Sequence, residues 1–388
     1  MVISVVVLLC LHRVGPYHQV RLSAVADVGM NLTVLQTRPQ SQEYAWTFDP
    51  SGPYELISLT GAAGPEADPP RDQLVRQLEA LLTRARPAAI VSVGWADRAY
   101  QSLLVLAHKR RIPVVLVSDS RHRDEPRSGS KEWLKRQLLR GYSAALVAGT
   151  ESRDYLTGLG FCSHAIVQPW DVVDNAFFAQ ASAIPAHREP HFLCVSRLVA
   201  KKNHAGLLQA YFTYQEQGGC WGLKLVGSGP EESSIREAIA NLPQPDRVEL
   251  LPFCQLEQLG QLYAQASAFV LASSTDQWGL VVNEAMAAGL PCLVSSACGC
   301  AVDLIDHGVT GWCFDPAEPA DLTRLMHTAE SQSPEHRQAM VNAARARLEA
   351  FTPESFALGL RNAVEYAITR PRFSRRASLA AELLSRRP

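Results

Sequence analysis

Short, wholly apolar runs rich in β-branched residues alternate along this chain with stretches whose apolar positions recur at helical spacing. The first run is Ile3–Leu11 (ISVVVLLCL), followed by a helical stretch to about Val28 and a second run at Asn31–Leu35. Arg71–Arg84 sets Leu74, Leu78, Leu81 and Leu82 on one helical face, at i, i+4, i+7 and i+8. Further strands are predicted at Ala88–Val93, Pro113–Val117 and Ala144–Ala148, each separated from the next by a helical segment. Fully apolar strands alternating with helices belong to parallel sheets covered on both faces, because a parallel crossover needs about a dozen residues or more.

The pattern then restarts. Gln180–Pro190 (QASAIPAHREP) is small, polar and proline-bearing and reads as a linker. Strands follow at Phe192–Val195, Leu223–Val226, Val248–Leu251, Phe269–Leu271 and Cys292–Val294, again with helices between. Thr352-Pro353-Glu354 reads as an N-cap and first turn, opening a helix to about Ile368. The expected fold class is therefore α/β, in two units. The divisions are 1–185, 186–352, a helix over 353–370 and a basic tail over 371–388. Doubly wound units of this kind bind ligands at the carboxyl ends of their strands.

Charge supports the division. Residues 1–185 carry 19 basic and 17 acidic side chains, 186–352 carry 11 and 18, and 353–388 carry 7 and 3. Over all 388 residues, 37 Lys and Arg against 38 Asp and Glu give a net charge of −1, without the basic excess of a general nucleic-acid binder. Nine scattered cysteines with no C-x-x-C pair point to reduced thiols in a cytoplasmic setting. Ile3–Leu11 is half a membrane span and has no basic flank, so a soluble, unexported protein is expected.

Chemistry concentrates in the second unit. In Ser274–Gly289 (STDQWGLVVNEAMAAG), Asp276 follows a strand, a helix begins near Trp278 or Gly279, and Glu284 lies a turn and a half along it. Helix amides between two carboxylates suit a ligand with phosphates in the middle and hydroxyls at both ends, the outline of a nucleotide sugar. Taken alone, two acids eight apart are as readily a solvated loop acid and a helix-surface acid. Arg197, Lys201, Lys202 and Asn203 follow the strand that opens the second unit, so cations reach the same strand ends and can neutralise a departing diphosphate without a metal. No paired acids suggest a metal site.

The blocks SRLVAKKN, KLVGSGP (Lys224–Pro230), VELLPF (Val248–Phe253), LYAQASAFVLASSTDQWGLVVNEAMAAGLPCLVS (Leu262–Ser295) and GVTGWCFDP (Gly308–Pro316) run in order through the second unit. Together they resemble retaining glycosyltransferases of family 4, whose GT-B architecture has two facing Rossmann-like domains and a C-terminal helix crossing back to the first. GTESRDYLTGLG (149–160), DVVDNAFF (171–178) and FTPESFALGL (351–360) are similar to the corresponding boundary segments.

The resemblance implies roles position by position. Arg197 and Lys202 fall at the family's diphosphate-binding pair, and Glu284 matches the second glutamate of its E-x7-E motif, which holds the ribose. Asp276 takes the first glutamate's place beside the donor sugar, with Gln277, Trp278 and Gly279 at the adjacent backbone amides. Phe253 and Cys254 fall where backbone groups meet the nucleobase. Gly227 and Gly229 read as a tight turn beside the site.

Three departures qualify these roles. Asp276 is one methylene shorter than glutamate. The glycine-rich first loop is Val14-Gly15-Pro16-Tyr17-His18, where Gly15 remains able to approach a phosphate but Pro16 lacks a donor. Val117 is followed by Ser118-Asp119-Ser120 in place of the family's usual histidine, leaving Asp119 or Ser118 to contact the transferred sugar. His18 and His122 are loop candidates for acceptor work. Arg121–Arg140, with seven basic and three acidic residues around Trp133, Leu134, Leu138 and Leu139, is either a core helix or a surface for anionic lipid. The tail Arg370–Pro388, with six arginines, is either a solvated or disordered tail or a similar lipid-facing surface.

The expectation is a cytoplasmic, metal-independent, retaining hexosyltransferase of polysaccharide, glycolipid or other glycoconjugate synthesis. It would move sugar from a nucleotide-diphosphate sugar to a carbohydrate, lipid-linked or small-molecule acceptor, with weak peripheral membrane contact and no cofactor. A non-catalytic sugar-nucleotide-binding subunit and a nucleotide-sugar epimerase are the alternatives.

Overall fold

The apolar runs of the N-terminal half become one parallel sheet. The structure is a computed structural model that describes residues 5–40, 46–183 and 189–386. It divides into one unit of Met1–Val172 with Pro353–Pro388 and another of Val173–Thr352. In chain order the first unit contains β1 (Val6–Leu11), α1 (Pro16–Asp27), β2 (Asn31–Gln36), β3 (Tyr54–Ser58), α2 (Arg71–Ala85) and β4 (Ala89–Val93). It continues with α3 (Arg98–Lys109), β5 (Val114–Ser118), α4 (Gly129–Leu139), β6 (Ala144–Val147), α5 (Thr150–Gly158) and β7 (Ile166–Val167). The sheet order is β3-β2-β1-β4-β5-β6-β7, all pairs parallel. Its core includes the four leucines of α2 predicted from their spacing. The first predicted residues of β1, Ile3 and Ser4, lie outside the described residues.

The second unit repeats the plan. It contains α6 (Asn175–Ala183), β8 (His191–Val195), α7 (His204–Glu216), β9 (Gly222–Val226), α8 (Glu232–Ala240), β10 (Val248–Leu251) and α9 (Leu256–Gln265). Then come β11 (Ala268–Leu271), α10 (Leu280–Ala287), β12 (Cys292–Ser295), α11 (Cys300–Leu304), β13 (Trp312–Phe314), α12 (Pro319–Glu330) and α13 (Pro334–Leu348). Its six strands run β10-β9-β8-β11-β12-β13, again parallel. Strand order reverses between β8 and β11, which opens a crevice at their carboxyl ends.

The boundary falls earlier than 185/186. Residues 173–183 belong to the second unit because α6 packs there, with Phe178 edge-on to Tyr263 of α9 at 5.6 Å between ring centres. Of the predicted linker, 180–183 is helical and 184–188 lies outside the described residues.

The chain then returns to the first unit. Phe356 of α14 (Pro353–Thr369) meets Trp170 at 5.6 Å, and Trp170 is also covered by the buried Arg21 guanidinium. The segment after it corrects the expectation of a solvated tail: within 371–386, α15 (Arg375–Ser385) packs against α3 and α4. Its inward stripe is Ala377, Ala381 and Ser385, all buried. Small side chains allow close approach, so a Cβ at Gly141 would lie 2.9 Å from that of Ala377. Ser378 Oγ meets His108 Nδ1 at 2.7 Å, tying α15 to α3. Arg121–Arg140 is likewise not one helix: α4 begins at Gly129, and Arg121 is buried between Asp124 and Glu151.

Overpacking this seam tests it. Ala377→Leu should destabilise the first unit by about 1–3 kcal/mol in urea unfolding and hasten tryptic cleavage within 370–386. A solvated segment would be cut at the same rate in both proteins.

Candidate functional site

Two loops meet where the second sheet's strand order reverses. The first leaves β8 as Ser196–Asn203, and the second leaves β11 as Ala272–Gly279. Lys202 Nζ is in direct contact with Asp276 Oδ2, joining side chains that are 13% and 11% exposed. Backbone bonds hold the loops in place around this pair. Ser274 N–H donates to the Lys201 carbonyl at 2.9 Å, and Asn203 Nδ2 donates to the Ala272 carbonyl at 3.1 Å. Asn203 also caps α7, accepting from Gly206 N–H at 3.2 Å.

The remaining walls are equally fixed. Leu198 N–H donates to the Ser228 carbonyl at 3.0 Å, and a Cβ on Gly227 would lie 1.9 Å from the Ser196 carbonyl oxygen. Gly227 is therefore required by close backbone approach. Ser228 Oγ accepts from the Phe253 amide at 3.1 Å. Asp276 is anchored by its own backbone, whose carbonyl accepts from Gly299 N–H at 2.9 Å. Gly279 caps α10 at φ +102°, a conformation that side-chain-bearing residues rarely adopt.

The side chains behind α10 are buried supports. Trp278 is 3% exposed, donates from Nε1 to Asn283 Oδ1 at 2.9 Å and packs on Phe351. Glu284 is wholly buried, and Tyr263 O–H donates to its Oε2 at 2.8 Å. It is not the solvated helix-surface acid that its spacing alone allowed. His204, at the start of α7, is 1% exposed and meets Ser196 Oγ through Nε2 at 2.9 Å. Burial, helped by the nearby Lys202 charge, pushes its pKa down to about 4, so it is neutral at pH 7. Among the described residues no group of three or more His, Cys, Asp and Glu is arranged to hold a metal ion.

Residues 178–347 match the family of group 1 glycosyl transferases. The match lies within the second unit and runs through nearly all of it. Among curated relatives, a glycosyltransferase of amylovoran biosynthesis from Erwinia amylovora is 33% identical over 169 residues, 42% of this chain and 41% of that protein. An N-acetyl-alpha-D-glucosaminyl L-malate synthase from Bacillus anthracis is 38% identical over 90 residues, 23% of each. The chain thus spans less than half the length of these relatives. Solved structures share the fold over nearly all of it. Anabaena HepE, crystallised with UDP, has a TM-score of 0.71 at 17% identity and covers 93% of this chain and 99% of its own. Sucrose-phosphate synthase from Thermosynechococcus elongatus has a TM-score of 0.71 at 18% identity, covering 94% and 99%. The fold is accordingly GT-B, two Rossmann-like units.

The second unit brings together Arg197, Lys202, Gly227, Phe253, Asp276, Gln277, Trp278, Gly279 and Glu284 on the loops and helix at one end of its sheet. Arg197 is half-buried in the loop after β8. Cys254 is half-buried beside Phe253, and its Sγ donates to the Pro252 carbonyl. In the first unit, Gly15 caps α1, and its amide donates to His18 Nδ1 at 3.2 Å. No backbone approaches Gly15, since a Cβ there would have His18 Nδ1 as its neighbour at 3.9 Å. Pro16 occupies the first helical position, where a missing donor costs little. His18 belongs to that first turn rather than to a loop, and burial holds its pKa down at about 3. Asp119 is exposed just beyond β5, its carbonyl accepting from Ser152 Oγ at 3.0 Å. His122 is exposed beside Tyr155.

Sequence reasoning passed over His204, Tyr263 and Ser228. His204 directly follows the cationic turn, which was the available signal. Tyr263 carries none, because its partner Glu284 lies 21 residues on.

His204 gives a pH signature. Between its folded pKa near 4 and its unfolded value near 6.5, the unfolded chain binds a proton that the folded chain refuses, so stability falls as pH drops through that window. From pH 7 to about 4.5 this amounts to roughly 2 kcal/mol. His204→Gln keeps a polar partner for Ser196 and does not titrate, so its urea-unfolding free energy should fall by that much less than the parent's. Parallel losses in the two proteins would contradict the neutral, buried state.

Proposed function

We propose that this chain is a retaining glycosyltransferase that moves a hexose from a nucleotide-diphosphate sugar to an acceptor hydroxyl in polysaccharide or other glycoconjugate synthesis. The observation that carries this reading is the Lys202–Asp276 pair at the strand-order reversal of a group 1 glycosyltransferase unit. It is supported by relatives named for amylovoran biosynthesis and by a structural neighbour crystallised with UDP and with UDP-glucose.

A ligand that is anionic in the middle and hydroxylated at its ends divides such a pair. Lys202 turns to the diphosphate together with Arg197 and the first amides of α10, while Asp276 accepts from a sugar hydroxyl. Glu284, held by Tyr263, accepts from the ribose diol. The acceptor oxygen then bonds to the anomeric carbon on the face from which the phosphate leaves. The bond between anomeric carbon and phosphate oxygen breaks with its electron pair on the diphosphate, and the acceptor's proton passes to that phosphate oxygen. Configuration is retained, and nucleoside diphosphate is the second product. Fixed cations and helix amides stabilise the leaving charge in this scheme, so turnover survives chelator.

Calorimetric titration with UDP, GDP and dTDP and their sugar conjugates, beside turnover with acceptors, tests the assignment. Arg197→Ala and Lys202→Ala should each lower kcat/KM by about tenfold or more, the loss of a charge-assisted contact of roughly 1.5–3 kcal/mol. Glu284→Ala should weaken nucleoside diphosphate and nucleotide sugar alike, by about 1–3 kcal/mol. Asp276→Ala should weaken only the sugar conjugate, because bare diphosphate then meets a Lys202 released from Asp276. Equal losses for both ligands in Asp276→Ala would overturn that division. Turnover abolished by EDTA and restored by Mg²⁺ would overturn the cationic mechanism.

A further inference from the structure

Helix α15 has two unlike faces. Its inward stripe of Ala377, Ala381 and Ser385 is buried in the first unit. Its outward stripe carries Leu379 and Leu383, one turn apart and 61% and 60% exposed. A helix that served only to cover α3 and α4 would carry polar residues there.

The charges around these leucines are nearly all of one sign. Arg375 and Arg376 are exposed before them and Arg386 after them. The adjoining end of α3 adds Lys109, Arg110 and Arg111, all exposed, with Arg111 stacked on Phe373 at 5.0 Å. Arg140, also exposed, adjoins Gly141, whose Cβ position meets Ala377. Against them stand the exposed Glu79, whose carbonyl accepts from Arg110, and Glu382, which Arg386 pairs and whose carboxyl Arg386, Lys109 and Arg71 hold below the usual range. Residues 370–386 hold five arginines and one glutamate. A solubilising surface mixes signs, whereas this one surrounds an apolar ridge with cations.

We propose that the outward face of α15 docks the protein on an anionic lipid surface. Leu379 and Leu383 enter the boundary between headgroups and acyl chains. The arginines lay their apolar stems along it and present guanidinium groups to lipid phosphates. A protein groove would accept the leucines, but the cationic border on three elements asks for an extended sheet of negative charge. No described helix is long and apolar enough to cross a membrane, so the contact is peripheral. The proposal concerns the first unit alone and stands apart from the donor chemistry of the second.

Vesicle flotation of the full chain tests it. The protein should float with phosphatidylcholine vesicles containing phosphatidylglycerol and stay behind with phosphatidylcholine alone. Raising salt from about 0.1 to 0.5 M should cut the bound fraction severalfold, since each arginine near the surface contributes about fivefold to partitioning. Leu379→Ser with Leu383→Ser should lower partitioning by about tenfold or more. Arg375→Glu with Arg376→Glu should do the same through charge. Both double variants change exposed side chains, so their melting temperatures should match the parent's. Equal flotation with both vesicle types would overturn the proposal, as would flotation indifferent to the leucines. So would absence of flotation, including the case where sedimentation shows the same leucines closing a dimer.

Discussion

Lys202 and Asp276 lie 74 residues apart, on loops leaving β8 and β11, and meet where their sheet reverses its strand order. Each is largely withdrawn from water, so each depends on the other for the charge it has lost contact with. A ligand entering this crevice has to offer both groups something at least as good. An anion alone satisfies the lysine and strands the aspartate, while a sugar alone does the reverse. On the proposed reading, a diphosphate joined to a hydroxyl-bearing ring answers both.

The pair works only because the backbone around it cannot yield. Gly227 lets the turn after β9 press against Ser196, and Ser274 and Asn203 stitch the two loops together. Trp278 and Asn283 fix the approach to α10 from below, while Tyr263 sets the Glu284 carboxylate. His204, kept neutral by burial, supports Ser196 without adding a cation beside Lys202. Charged groups are thus carried on apolar and neutral supports, the arrangement that holds electrostatic groups in place before a ligand arrives.

Much of this was legible beforehand because parallel strands buried on both faces announce themselves as unbroken apolar runs. β4, β5, β6 and the central strands of the second unit were found to within a residue or two. Those left out are marginal: β3 (YELIS) is a partly exposed edge strand, β7 has two residues and β13 three. α15 is hard to read from sequence because its buried stripe is small, Ala377, Ala381 and Ser385, and carries little hydropathic signal beside arginines. The domain boundary precedes the proline-bearing stretch because Phe178 is buried in the second unit against Tyr263, a distant contact that the local sequence does not show. Spacing from strand ends singles out Arg197, Lys202, Asp276 and Glu284 as candidates. The contact between lysine and aspartate, and the full burial of the glutamate, depend on how distant segments fold together, and no local pattern encodes them.

If the loops after β8 and β11 and the first turn of α10 form a nucleotide-sugar site, their amides should be the ones a donor protects. Hydrogen–deuterium exchange with and without UDP-, GDP- and dTDP-sugars measures this directly. The account predicts that the donor that binds slows exchange across 197–203 and 276–282, with α12 and α13 unchanged. Protection confined to other segments, with these two loops exchanging at their ligand-free rates, would contradict it.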